Sequence, residues 1–325
     1  MFLGLVFALA GLGTLTLAAD HFVAGAARLA GFYRVSPVVV GAVLIGFGTS
    51  APEMVVSGIA ALRGDLDIGV GNVVGSNVAN ISLVLAAAAS ITAIPVKSRT
   101  IRREIPISVA SVVVFALLIQ GQISRAEGAI LAILLGVFLV LVLRQGADDH
   151  DFDSDVIHIA SDGVVRLRPE VARVVLGLLT VVVSSWFIVE GAERIAEAFD
   201  LSGGFVGFTL VAMGTSAPEL VTSVQAARQG ETELLVGNLL GSNVFNSLAV
   251  GGIMGLVGPG PILDTKLAET GSILMVVIVL VSALFMVVGG RVGRTKAFVL
   301  FFLWVLSVVV LSGGDDMSDA LVAAL

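Results

Sequence analysis

Two stretches of this chain carry most of the side chains that could do chemistry, and each is written twice. Gly48-Thr49-Ser50-Ala51-Pro52-Glu53 returns as Gly214-Thr215-Ser216-Ala217-Pro218-Glu219. Gly71-Asn72-Val73-Val74-Gly75-Ser76-Asn77-Val78-Ala79-Asn80 returns as Gly237-Asn238-Leu239-Leu240-Gly241-Ser242-Asn243-Val244-Phe245-Asn246. Both returns come after 166 residues, and 21 of 40 positions match without a gap between 41–80 and 207–246. That is an internal duplication. Its polar members are carboxylates, hydroxyls and carboxamides, all of them hard oxygen donors. Such a set suits sodium, calcium or magnesium and not zinc or copper. The chain has no cysteine, and none of its three histidines, His21, His150 and His158, falls in a motif. Thiolate chemistry is therefore excluded. With no aspartyl pair and no serine–histidine pair inside the apolar stretches, the chain reads as a binder of cations and not as an enzyme.

The spacing sharpens the reading. Glu53 and Glu219 are the only acidic residues in otherwise apolar runs, and an ionisable group at that depth marks function by default. Thr49 and Ser50 precede Glu53 by four and three residues, so helical geometry would place all three on one face. Asn72, Ser76 and Asn80 form one stripe of the next helix, and Thr215, Ser216, Glu219, Asn238, Ser242 and Asn246 repeat the whole set. Pro52 and Pro218 each lack a backbone donor and crowd the carbonyl four residues back, which predicts a broken or kinked helix at Gly48 and Gly214. Carbonyls at 46–48 and 212–214 would then face a cavity. Asn77 and Asn243 lie off the stripe and read as hydrogen-bonding groups between helices. Gly71, Gly75, Ser76, Gly237, Gly241 and Ser242 read as close-packing positions, a role compatible with ligation by the two serines. Two carboxylates balance one divalent ion, and calcium accepts six to eight oxygens, whereas magnesium dehydrates reluctantly.

The elements that position these groups must lie in a membrane. The chain of 325 residues is 57% hydrophobic and 13% charged, about half the charge of a soluble domain, and its mean hydropathy is +1.06. Ten stretches are long and apolar enough, or nearly so, to span the hydrocarbon: 2–19, 35–62, 68–96, 105–124, 128–143, 174–189, 201–227, 234–263, 271–290 and 297–314. The first and sixth are open to extension, to about 30 and 199. The N-terminus lacks a basic region, so the first stretch reads as a retained span. Placing the N-terminus outside leaves Arg63, Arg125, Arg194 and Lys266 on its side and the other fourteen of 18 Lys and Arg opposite. The positive-inside rule then puts both termini outside and the linker in the cytoplasm. The expected fold is all-α, with ten transmembrane helices as two inverted five-helix repeats: 1–143 and 174–325, joined by a cytoplasmic linker, 144–173. Inverted repeats place duplicated motifs face to face near the midplane. The acidic run at 148–155 lacks the glycine and closing glutamate of a calcium loop and reads as a solvated tether. Residues 156–168 could form a short hairpin.

At these motifs the chain resembles the cation/calcium exchanger superfamily, specifically the sodium/calcium exchangers of prokaryotic type with two alpha-repeats. The resemblance implies a secondary antiporter that moves sodium against calcium by alternating access, with ions held between the second, third, seventh and eighth helices. By that resemblance Glu53, Glu219, Thr49 and Thr215 form the calcium site, and Ser50, Ser76, Ser216 and Ser242 complete flanking sodium sites. Gly46 and Ala212 offer carbonyls, and Asn80 and Asn246 line the middle. Many relatives carry an aspartate at one of the two asparagine positions. Two amides here leave two carboxylates instead of three, which counts against potassium coupling. Proton/calcium exchangers typically carry a glutamate after the Gly-Asn element, where this chain has apolar and glycine residues. A related antiporter driven by proton or potassium, or one carrying another divalent cation, is the alternative. A cation channel is disfavoured, because channels repeat around a pore axis. Beyond calcium, sodium and the bilayer the sequence implies no cofactor, nucleic acid or obligatory protein partner.

Overall fold

The computed structural model describes residues 2–32, 45–148, 167–199 and 202–312. The second predicted span is therefore seen only from Ile45 onward, and the acidic run beyond Asp148 and most of the predicted hairpin lie outside the described residues. In chain order the first half holds α1 (Phe2–Phe32), α2 (Gly46–Thr49), α3 (Ala51–Arg63), α4 (Leu66–Ile91), β1 (Ile94–Pro95), α5 (Glu104–Leu118), β2 (Gln122–Ile123) and α6 (Arg125–Asp148). The second half holds α7 (Leu167–Phe199), α8 (Gly203–Thr215), α9 (Ala217–Gln229), α10 (Thr232–Val257), β3 (Gly260–Pro261), α11 (Ser272–Val287), β4 (Arg291–Val292) and α12 (Arg294–Ser312).

The duplication in sequence is a duplication in structure. Ser50 (φ −82, ψ 0) interrupts α2 and α3, and Ser216 (φ −82, ψ 7) interrupts α8 and α9. Each break comes two residues before the proline, whose missing N–H leaves the preceding turn without a donor. The interruption falls two residues beyond the predicted Gly48 and Gly214, which stay helical, and it is a kink; between α8 and α9 it measures 44°. Both α3 and α9 run 13 residues and end at a left-handed glycine, Gly64 and Gly230, each with φ +81, a backbone conformation only glycine adopts without strain. Helices α4 and α10 follow, and both lie inside the molecule for most of their length. Each contains a π-helical segment just where the motif ends, Asn80–Val84 and Phe245–Val250.

Close packing holds α4 against α8. A Cβ on Gly75 would come within 2.2 Å of the Phe208 carbonyl oxygen, and one on Gly71 within 2.5 Å of the Gly204 oxygen, so these glycines serve as the packing positions the sequence suggested. Valines 70, 73, 74 and 78 of α4 share one apolar core with Phe115 of α5, Phe245 and Leu248 of α10 and Met275 of α11.

Helices α1 and α7 pair along their length. A Cβ on Gly191 would lie 2.6 Å from the Gly4 oxygen, and one on Gly177 would lie 2.9 Å from the Cβ of Phe22, so the two backbones run in contact. Glu170, largely buried, joins Arg28 at 3.0 Å and Arg173 at 3.2 Å at one end; Arg194 lies over the Phe7 ring, 5.5 Å from its centroid, at the other. Both helices are longer than their uncharged stretches. Ion pairing explains why: Arg28, Glu170, Arg173, Glu190 and Arg194 all find partners on this pair. Likewise α6 runs on through Arg144 to Asp148, and α7 begins at Leu167, so the described ends of the expected linker are helical.

Two short antiparallel ladders tie the halves together. Ile94 and Pro95 pair with Val292 and Arg291, and Gln122 and Ile123 pair with Pro261 and Gly260. Each ladder takes one strand from each half. By length and composition five described helices could cross a membrane, or six if the bent α8–α9 pair is one span.

Candidate functional site

The carboxylates sit in the first turns of α3 and α9, where the partial positive charge of a helix N-terminus favours an anion. Glu53 and Glu219 are both fully buried. Thr49, Ser50, Thr215 and Ser216 flank the two kinks, and the stripe residues Ser76, Asn80, Ser242 and Asn246 are wholly inaccessible.

The two halves exchange contacts here. Ser216 of the second half donates to Oε1 of Glu53 at 3.2 Å, and Ser76 of the first half donates to the same oxygen at 3.4 Å. Thr215 Oγ1 donates to Oδ1 of Asn72 at 3.0 Å. In the mirrored contact Thr49 Oγ1 lies 3.4 Å from Oδ1 of Asn238 and 3.3 Å from the Ser242 hydroxyl. Asn80 donates to Oδ1 of Asn243 at 3.2 Å, and Asn243 donates to the backbone oxygen of Asn77. Asn77 itself donates to Ser247. The off-stripe asparagines thus do the inter-helix work expected of them. The Gly46 and Ala212 carbonyls keep their helical partners, the N–H groups of Ser50 at 3.1 Å and Ser216 at 2.9 Å, and a carbonyl oxygen has a second lone pair for a further ligand.

What stays unpaired is informative. Buried polar atoms are nearly always hydrogen-bonded. Yet Ser50 Oγ, Glu53 Oε2, both carboxylate oxygens of Glu219, Asn80 Oδ1 and both amide atoms of Asn246 are buried with no partner in the protein. These seven atoms belong to the doubled motifs, and six are oxygens. A fold that buries a carboxylate without a donor leaves a large desolvation cost uncompensated, and a cation offsets it. Among the described residues no three His, Cys, Asp or Glu side chains gather as a metal cluster, so two carboxylates with neutral oxygens are what the site offers. That composition matches a hard, weakly held cation better than a resident transition metal.

Sequence reasoning did not single out Ser57 and Thr222. Ser57 accepts from Asn72 at 3.0 Å, and Thr222 accepts from Asn238 at 3.3 Å. Their signal was a hydroxyl one turn beyond each glutamate, at 57 and at 222. Ser57 recurs across the 166-residue offset as Ser223, but the hydroxyl that accepts in the second half is Thr222, whose counterpart Val56 has none. Of the histidines, His21 lies exposed on α1, and the other two are outside the described residues.

A repeated helical fold with buried hard oxygens contributed by both repeats is that of a membrane antiporter. The family model for the sodium/calcium exchanger protein matches residues 3–144 and 170–313, and the chain belongs to that family. It is 36% identical to CaxA of Alkalimonas amylolytica, over 90% of this chain and 93% of that one. It is 29% identical to the sodium/calcium exchanger MaX1 of Methanosarcina acetivorans, over 96% of this chain and 97% of that one. Among solved structures, the sodium-calcium exchanger NCX_Mj in crystals soaked with sodium and strontium superposes with a TM-score of 0.75 at 29% identity, covering 95% of this chain and 98% of that one.

Proposed function

We propose that this protein exchanges sodium for calcium across the membrane by alternating access, with both ions using one site shared by the two repeats. The observation that carries the proposal is the set of buried, unpartnered oxygens drawn from both halves, Glu53 and Glu219 above all. The ligand set is Glu53, Glu219, Thr49, Thr215, Ser50, Ser216, Ser76, Ser242, Asn80 and Asn246 with the carbonyls of Gly46 and Ala212. It lies near the midplane between helices 2, 3, 7 and 8 of ten, which are α2–α3, α4, α8–α9 and α10. The ten spans form two inverted repeats, 1–143 and 174–325. The ladder β1–β4 gathers Lys97, Arg291, Arg294 and Lys296 at one end of the molecule, which supports a cytoplasmic face there, with the linker 144–173 on that side and both termini outside.

Exchange follows from charge. Two buried carboxylates without a counter-ion are costly, so the site favours occupancy by one calcium or by two or more sodium ions. If only an occupied site can pass its cavity from one face to the other, the two ions must trade places. The test is calcium binding to purified protein over a sodium series at two pH values. Sodium should raise the apparent calcium dissociation constant with a Hill slope above one, and acid should weaken both ions by titrating the same carboxylates. Calcium affinity that is indifferent to saturating sodium means separate sites and rejects the mechanism. Uptake into vesicles with the opposing gradient switched among sodium, potassium and protons identifies the driving ion.

A further inference from the structure

We infer that Ser57 and Asn72 are positioning residues that set which way the Thr215 hydroxyl points, and so make that threonine a cation ligand. This inference rests on the shared ion site proposed above. The reasoning starts at a backbone carbonyl and follows protons. The Gly69 oxygen can only accept, and Ser57 Oγ lies 3.2 Å from it, so the single hydroxyl proton of Ser57 is committed there. Ser57 Oγ can then only accept from its other neighbour, Asn72, at 3.0 Å. That fixes the Asn72 carboxamide with its NH2 toward Ser57 and its oxygen toward Thr215. Thr215 Oγ1, 3.0 Å from that oxygen, must donate its proton to Asn72. Ser57, Asn72 and Thr215 are all fully buried, so no water competes for these bonds. With its proton directed away, Thr215 presents only lone pairs to the site, as a cation requires. The same bond draws the proton away from the Ala212 carbonyl, which lies at 3.4 Å, and leaves that oxygen free as well.

The mirrored relay is looser. Thr222 donates to the Glu219 backbone oxygen at 3.2 Å, Asn238 donates to Thr222 at 3.3 Å, and Thr49 stands 3.4 Å from Asn238. Thr49 has a nearer acceptor in its own helix, the Ile45 carbonyl at 3.0 Å. The orienting effect is therefore concentrated on Thr215. The serine equivalent to Ser57 in the second half, Ser223, is as deeply buried but has no hydrogen-bond partner. The fold thus supplies its own control: two buried serines at equivalent positions, only one of them in a relay.

The experiment compares Ser57→Ala with Ser223→Ala in the full-length protein. Calcium affinity is read by titration with calcium chloride, with and without sodium chloride, and thermal melts verify folding. Without the Ser57 acceptor the Asn72 amide is free to turn its NH2 to Thr215, which swings the hydroxyl proton toward the ion. Calcium should then bind about five- to tenfold more weakly, the scale of one lost hydrogen bond, while Ser223→Ala stays within about twofold, below the scale of such a bond. The second arm places Ser57→Ala in a Thr215→Val background, where no hydroxyl remains to misdirect. There the serine change should cost nothing further, because effects that act through one group are not additive. Equal losses for the two alanine variants, or an undiminished Ser57 effect on the Thr215→Val background, overturn the relay and leave the shared site standing. Wild-type protein that binds no calcium, or a Thr215→Val variant that binds it as tightly as wild type, overturns the site reading instead and the relay with it.

Discussion

Replacing Glu219 by Gln removes one charge and almost no volume. Glu219 is fully buried and neither carboxylate oxygen has a partner, so a bound cation is the main counterpart of that charge. A carboxylate oxygen stands about 2.4 Å from bound calcium. At an effective dielectric of about 20, deleting the charge at that distance forfeits a gross attraction of roughly 14 kcal/mol for a divalent ion and roughly 7 kcal/mol for sodium. Much of this is offset, because the amide oxygen remains a dipolar ligand and the cost of burying a charged group, several kcal/mol, disappears. Losses of about 3–5 kcal/mol are typical when one member of a buried charge pair is removed, and each 1.4 kcal/mol is tenfold in affinity. Calcium binding should therefore weaken by about two to three and a half orders of magnitude, and sodium by roughly the square root of that factor, since the Coulomb energy scales with ion charge. Calorimetric titration of both ions on purified protein measures the two losses, and calcium uptake by vesicles measures the functional result. Calcium affinity within tenfold of wild type refutes direct ligation by Glu219. Equal losses for the two ions refute the charge argument even if ligation holds.

Glu53→Gln should lose calcium to a similar degree while leaving the fold intact, since an amide oxygen can still accept from Ser76 and Ser216; a large fall in melting temperature contradicts this. Asn246→Asp places a third carboxylate where both amide atoms are unpartnered, so ion selectivity and the steepness of pH dependence should change in flux assays, and unchanged sodium, potassium and pH profiles show that position 246 does not touch the ions. Gly48→Ala should destabilise by about 1–3 kcal/mol, because its Cβ would fall 1.8 Å from the Phe22 ring; adding Phe22→Leu should recover part of the loss in a thermal melt, and no recovery means the strain lies elsewhere. Glu170→Ala leaves Arg28 and Arg173 without their shared carboxylate, but both arginines are more than a third exposed, so a loss near 1 kcal/mol is expected, and a loss several times larger shows that the pair is shielded from solvent.

Residues 48–80 and 214–246 were legible because their chemistry is local and repeated. A proline two residues after a serine breaks a helix wherever it stands, and the kinks at Ser50 and Ser216 follow from Pro52 and Pro218. Glycine spacing announced close packing at Gly71 and Gly75, though not its partner α8, for the same reason: absence of a side chain is visible in sequence. The extensions of α1 to about residue 30 and of α7 to 199 were legible, but the start of α7 at Leu167, ahead of its uncharged stretch, was not. Uncharged stretches were sought, and a charge that finds a partner across another helix, as Glu170 finds Arg28, looks the same in sequence as one that faces water. The π-helical segments at Asn80–Val84 and Phe245–Val250 had no signal, since an extra residue per turn is set by packing against neighbours. The pairing of Thr222 with Ser57 was hidden by the offset itself, because the hydroxyls that accept from Asn72 and Asn238 stand one position apart in the two halves.

The two ladders bear on how the chain can be made. Ile94 must wait for Val292, and Gln122 for Pro261, so neither strand of the first half has its partner until more than half of the second half has been synthesised. Pairings so distant in sequence close slowly, because the loop entropy is spent before the contact forms. A chain halted after α6 would carry two open strand edges, one at each end, together with the apolar side of α4 that the second half covers, and such edges invite the wrong neighbour. The nearest right neighbour is another copy of the same half. On the inverted arrangement proposed above, a copy inserted the other way up would present the matching surfaces, and the two would meet as an isologous pair. On that arrangement the intact chain is such a dimer made permanent, its second partner guaranteed by a peptide linker instead of by concentration.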